Sequence, residues 1–207
     1  MDWFTGENLI ELIKTVGYLG VFGIVFAESG LFFGFFLPGD SLLFTAGLLA
    51  SQGFFDITTL VIIIFIGAVL GDQVGYAFGK QVGPKLFTRE SSLLFNKKNL
   101  LRARDFYQQY GNITIVMARF MPFIRTFAPI VAGIGGMRYR TFVLYNLLGG
   151  LIWTLSLTLS GYYLVKVIPG IEHYITWVVG IIVIASVIPM VIHYFRDRLH
   201  TKLKKSS

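Results

Sequence analysis

The chain has no cysteine, three histidines and little charge: 14% of its 207 residues are Asp, Glu, Lys or Arg, against roughly 25% in an ordinary soluble domain. Without cysteine there is no disulfide, thiol nucleophile or thiolate metal site, and the redox compartment cannot be read. The histidines, His173, His193 and His200, all fall near the C-terminal end. No spacing of histidine and acidic residues suits a metal, so neither metal nor cofactor is expected. A basic stretch before the first apolar run is also missing; Asp2, Glu7 and Glu11 stand there instead, so no cleaved signal peptide is expected. What the chain has is apolar surface, with 55% hydrophobic residues and a mean hydropathy of +0.69. This composition predicts an all-α polytopic membrane protein. The net charge of +7 gathers in loops, which suits membrane orientation and anionic head groups rather than nucleic acid.

Residues 118–133, ARFMPFIRTFAPIVAG, are the most informative stretch. Arg119 and Arg125 stand in an apolar run that begins at Ile113 and is cut by Pro122 and Pro129. An arginine at mid-bilayer costs roughly 3 kcal/mol on insertion scales, so two of them must be paired, hydrated or used. On one straight helix the two arginines would point roughly 120° apart. Because proline removes a backbone donor and clashes with the preceding turn, both positions are expected to be hairpin breaks. A break at Pro122 lets both arginines share a cavity.

In chain order, residues 1–16 read as an amphipathic helix in the interface, too short to span. Residues 18–50 are apolar, but Glu28 interrupts them early, and Pro38, Gly39 and Asp40 break them in the middle. The second limb is too short to cross a ~30 Å core, so this segment is expected to be a re-entrant hairpin. Irregular backbone at that depth needs protein or a water-filled cavity around it. Residues 57–80 form a transmembrane helix with Gly67, Gly71, Gly75 and Gly79 at intervals of four, a stripe for close helix packing. Beside it Asp72 has two readings, a carboxylate bonded near the helix end or a member of a polar cluster.

Residues 81–112 form a basic loop with a short amphipathic helix, and residues 113–136 form a second proline-broken hairpin. Transmembrane helices follow at 141–165 and 174–195, then a basic tail at 196–207. The positive-inside rule puts the basic loop, the turn at Arg138 and Arg140, and the C-terminal tail in the cytoplasm. Polar Gln73 and Asn146 are assigned no role in transport. Phe32, Phe33, Phe35 and Phe36 read as packing or lipid-facing residues, and Trp3, Trp153 and Trp177 as interface anchors.

The layout repeats itself. Ala27-Glu28, Ala46-Gly47 and Gly75-Tyr76 in the first half answer Ala118-Arg119, Ala132-Gly133 and Gly161-Tyr162 in the second. With hairpins entering from opposite sides, this predicts an inverted repeat, the architecture of alternating-access transporters.

The Glu28 run leading to Phe36-Leu37-Pro38-Gly39-Asp40-Ser41, the helix from Gly71-Asp72 to Gly79, and Arg119-Phe120-Met121-Pro122-Phe123-Ile124-Arg125-Thr126 together resemble the DedA family, also called SNARE-associated or VTT-domain proteins. The resemblance implies a bacterial plasma-membrane protein with two opposed re-entrant hairpins that moves phosphate-bearing lipids between leaflets. Undecaprenyl phosphate and phospholipids are the implied substrates, with proton coupling; membrane lipids and protons are the implied partners, and homo-oligomerisation stays open. In that pattern the acidic pair falls on Glu28 and Asp40 and the basic pair on Arg119 and Arg125.

The chemistry of these residues suits the role. A guanidinium offers a planar fork of donors to phosphate oxygens. Glu28 and Asp40, with Asp72 as a weaker member, would hold the arginines when ionised and release them when protonated. The plain alternative is a set of permanent ion pairs. Two other functions are weighed: a proton or cation antiporter using the carboxylates, and an intramembrane lipid phosphatase, which lacks a histidine beside the arginines.

Overall fold

A computed structural model describes residues 6–30, 39–86 and 111–168. The expectations for residues 1–5, the phenylalanines between 32 and 36, Pro38, residues 87–110 of the basic loop, the last predicted span and the C-terminal tail lie outside the described residues. Within them the chain forms six helices and no strand: α1 Gly6–Gly30, α2 Gly39–Ser51, α3 Ile57–Leu86, α4 Thr114–Ala118, α5 Pro122–Ile134 and α6 Tyr139–Val167.

Two helices contain apolar segments long enough to cross a bilayer. These are residues 57–82 of α3, with mean hydropathy 2.1, and the whole of α6, with mean hydropathy 1.6. Both keep large apolar side chains exposed, Ile62, Ile66, Leu70, Val74 and Phe78 on α3 and Leu144, Leu148, Leu151 and Ile152 on α6. The α3 set recurs every fourth residue, so it follows one slowly winding face of the helix. At the start of α3, Asp56 accepts hydrogen bonds from the Thr59 backbone N–H and hydroxyl, each 2.8 Å long. These bonds satisfy donors that a helix N-terminus otherwise leaves open.

The chain path follows from the contacts. Tyr18 lies against Phe55, and its hydroxyl accepts from the Asp56 backbone N–H at 2.7 Å. Further along, Gly30 meets Gly71. Helices α1 and α3 therefore run in the same direction. Glu28 then meets Gly39, so α2 runs back along the first half of α3. The other helices start from the opposite end: Tyr76 donates a hydrogen bond to the Met137 carbonyl and stacks on Phe142, Val116 lies against Gly149, and α5 runs from Arg125 to Gly133 beside Lys80.

Two expectations change. The amphipathic segment and the first limb of residues 18–50 are one continuous helix, α1, with no break near Val16. Pro129 breaks nothing, because α5 runs through it. Its ring is fully buried, with its Cβ beside Gly75, and this packing offsets the backbone hydrogen bond lost at Arg125. The real break lies at residues 119–121, between α4 and α5. Met121 is extended, φ −114° and ψ 103°, the conformation that a following proline imposes, and Pro122 occupies the first helical turn where no donor is needed.

The glycine stripe of α3 serves two helices rather than one. Gly67 and Gly71 accept Phe22 and Phe26 of α1, whereas Gly75 and Gly79 accept Pro129 and Ile130 of α5. A mirrored pair of contacts joins α2 and α6. A Cβ on Gly79 would lie under 3.0 Å from the Ile130 carbonyl, and one on Gly133 from the Tyr76 carbonyl; Gly161 meets Phe44, and Gly47 meets Thr158, in the same way. The closest backbone approaches thus fall within two sets, α1 with α3 and α5, and α2 with α6.

Gly79→Ala and Gly161→Ala should each lower the melting temperature in detergent, because the opposing atom is backbone and cannot turn aside; overpacking of this kind costs roughly 1–3 kcal/mol. Gly20→Ala and Gly23→Ala, where a Cβ would meet nothing within 4 Å, should not lower it. Equal melts for all four variants would refute this account of the packing.

Asp56 provides a pH test outside the spans. Bonding to Thr59, first through the backbone N–H and then through the hydroxyl, holds its carboxyl below the usual carboxylate range. A depressed folded value means that the contribution is present at neutral pH and is lost as pH falls through that value. Asp56→Asn, which keeps the acceptor oxygen, should melt with less dependence on acid than the parent between pH 7 and pH 3.

Candidate functional site

The charged residues meet where α1, α2, α5 and the break after α4 come together against the middles of the long helices. Asp72 lies about 22 Å along α3, and Trp153 about 21 Å from either end of α6, at 1.5 Å per residue. Glu28 sits in the last turn of α1, Asp40 in the first turn of α2, Arg119 just after α4, and Arg125 in the first turn of α5.

The arginines have different partners. Arg125 forms ion pairs with Glu28 through Nη2 and with Asp40 through Nη1, the latter at 2.6 Å. Arg119 pairs with Asp72 on α3 and donates to the Asn146 side-chain carbonyl on α6, with a longer bond of 3.5 Å to the Ala68 carbonyl. Asn146 in turn donates to the Val69 carbonyl at 3.2 Å.

Burial sharpens the contrast. Glu28, Asp72, Arg119 and Arg125 are all buried, whereas the Asp40 side chain is 38% exposed. Charges this deep are costly unless paired. The carboxylates neutralise the arginines, but Glu28 Oε2 and both arginine Nε atoms have no hydrogen-bond partner, so the cluster keeps unused donor and acceptor capacity. Gly39 belongs to the same construction, since a Cβ there would collide with the Glu28 carboxylate.

Glu28 and Asp40 do meet a basic residue, as expected from the sequence, but only Arg125. Arg119 takes Asp72, for which the sequence left two readings. Two residues were missed. Asn146, to which the sequence gives no role, is a fully buried partner of Arg119. Trp153, by its sequence an interface anchor, is buried and donates from Nε1 to Asp40 Oδ1 at 3.0 Å. Its ring lies beneath the Arg125 guanidinium, 4.9 Å from Cζ to ring centroid, and 6.0 Å from that of Arg119. The missed signal was depth, because a tryptophan halfway along a span is too far inside for the interfacial belt.

The arrangement is a pair of guanidinium groups held by three carboxylates at the centre of a helical membrane fold, with one carboxylate partly open. It can bind an anion by exchange, with ligand oxygens replacing carboxylate oxygens on the arginine edges. The family model for the VTT domain matches residues 37–163, which span both arginines and Asp40. This chain belongs to the DedA family of VTT-domain membrane proteins.

Its relatives agree over most of their length. The chain is 41% identical to protein DedA of Escherichia coli strain K12 over 92% of this chain and 89% of that one. It is 38% identical to an uncharacterized membrane protein of Mycobacterium tuberculosis over 89% and 86%, and 35% identical to inner membrane protein YghB of Escherichia coli K12 over 78% and 74%. No solved structure matches the chain.

Proposed function

We propose that this DedA-family protein moves phosphate-bearing lipids between the leaflets of the bacterial plasma membrane, as a transporter and not as an enzyme. Undecaprenyl phosphate or a phospholipid is the cargo class, and protons drive the exchange. The observation that carries the proposal is the Arg125 site. A buried guanidinium at the middle of the fold is held by Glu28 and by Asp40, whose side chain alone in the cluster is substantially exposed.

In this reading α1 with α2, and α4 with α5, are re-entrant hairpins entering from opposite leaflets, and the two halves form an inverted repeat. The mirrored glycine contacts support it, with Gly79 corresponding to Gly161 rather than Gly75. So does the placing of the ion pairs. One of them crosses between the close-packed sets, Arg125 of α5 to Asp40 of α2, and another ties Arg119, just after the α4 turn that lies against Gly149 of α6, to Asp72 of α3. The sets touch there through side chains that can exchange partners. Protonation of Asp40 and Glu28 removes their hold on Arg125, and a phosphate of charge near −2 takes their place while the lipid tail stays in the bilayer. The basic loop and C-terminal tail lie in the cytoplasm by the positive-inside rule, so proton entry from outside carries the head group inward.

The test is transfer of a labelled polyprenyl phosphate between leaflets of sealed vesicles holding purified protein. Faster transfer than in protein-free vesicles, increased by an acid outer side, is expected. Proton or cation flux without head-group transfer would replace this reading with an antiporter. Release of inorganic phosphate would replace it with a phosphatase.

A further inference from the structure

Trp153 meets both Asp40 and Arg125, and the two contacts use different parts of the indole. Nε1 donates to Asp40 Oδ1, the same oxygen that Arg125 Nη1 binds at 2.6 Å. The ring face carries the Arg125 guanidinium. A guanidinium donates all its hydrogen bonds from its edges, in its own plane. A ring beneath its face therefore leaves those edges available, and the attraction persists whichever anion sits at the edge.

We infer that Trp153 is the positioning residue of the anion site: it keeps the Arg125 fork in place while carboxylate is exchanged for phosphate, and its N–H holds Asp40 close by for the return. This rests on the proposed phosphate role of Arg125. The burial of Trp153 halfway along α6 fixes the plate on a rigid element, whereas Asp40 and Arg125 each sit in the first turn of a short helix. Without the ring, an Arg125 side chain released by its carboxylates would lose the contact on its face, and more of its ordering would fall on the ligand.

The experiment uses the full chain in neutral detergent, with octyl phosphate as the lipid-like probe, octanol as its uncharged control and inorganic phosphate as the free anion. In a Trp3→Phe, Trp177→Phe background Trp153 is the only tryptophan. Octyl phosphate should change its emission saturably and octanol should not; no change with octyl phosphate would overturn the inference. Calorimetric titration of Trp153→Phe, which keeps a ring face, should give a Kd within about threefold of the parent. Trp153→Leu, folded by its circular dichroism, should bind about tenfold more weakly, the loss of a desolvated cation–π contact. Equal binding by the Leu and Phe variants would also overturn it. Inorganic phosphate binding as tightly as octyl phosphate would rule out a lipid head group as the ligand.

Arg125→Gln combined with Glu28→Gln, which leaves no buried Glu28 charge without a partner, separates the two levels of the argument. If it binds octyl phosphate like the parent, the phosphate reading itself fails. If it abolishes binding while Trp153→Leu binds as tightly as the parent, only the role of Trp153 fails.

Discussion

Arg125→Lys is expected to leave the protein folded and to slow lipid transfer about 10- to 100-fold. Lysine keeps the positive charge, so Glu28 and Asp40 retain a counter-ion. It loses the planar fork, and with it the paired geometry for two phosphate oxygens. One hydrogen bond to a charged group is worth about 1.5–3 kcal/mol, which at about 1.4 kcal/mol per tenfold gives that range. Arg125→Leu should behave differently. Glu28 is 2% exposed, and a buried charge stripped of its partner costs about 3–5 kcal/mol, so this variant should misfold or melt far below the parent. Neutralising both sides, as Arg125→Gln with Glu28→Gln, should recover much of the stability and none of the transfer. The pattern decides between exchange and a fixed ion pair. Full transfer by Arg125→Lys, or by the neutral double variant, means that the charges only hold helices together.

The second large effect concerns Arg119 and Asp72. Asp72→Leu leaves a buried guanidinium with Asn146 and the Ala68 carbonyl as neutral partners, so a loss of about 3–5 kcal/mol is expected. Arg119→Met combined with Asp72→Leu should regain most of it, because a buried ion pair replaced by apolar groups of similar volume often costs little. The two residues form one network, so the single losses should not add. Thermal unfolding of the four proteins in detergent measures the cycle. Additive losses would show that the pair is not a unit. Lipid transfer by the stable double variant then reports on Arg119 directly: a second phosphate contact predicts strongly reduced transfer, whereas parental transfer would assign Arg119 to structure alone.

Much of this protein is legible along the chain because membrane insertion makes polar residues expensive. Arg119 and Arg125 announce themselves in an apolar run, as do Glu28, Asp40 and the Pro122 break, since nothing in the bilayer core solvates a charge or an open backbone donor. The glycine period of α3 and the apolar length of α6 are local patterns of the same kind. Pro129 shows where this fails. Whether proline ends a helix depends on what packs against its ring, and the chain does not say that Gly75 lies there.

Which carboxylate meets which arginine was likewise beyond the sequence, because three acids and two bases can pair in several ways. Only the crossing of α3 and α6 takes Arg119 to Asp72 and Asn146, leaving Arg125 for Glu28 and Asp40. Trp153 is the sharpest case, since an aromatic residue in an apolar helix carries no mark of its neighbours. By itself the sequence determined that buried charge and broken helix meet in a membrane fold, because those costs are paid residue by residue. The tertiary structure decided the partners, because a pairing is a property of two distant segments and of the helices that bring them together.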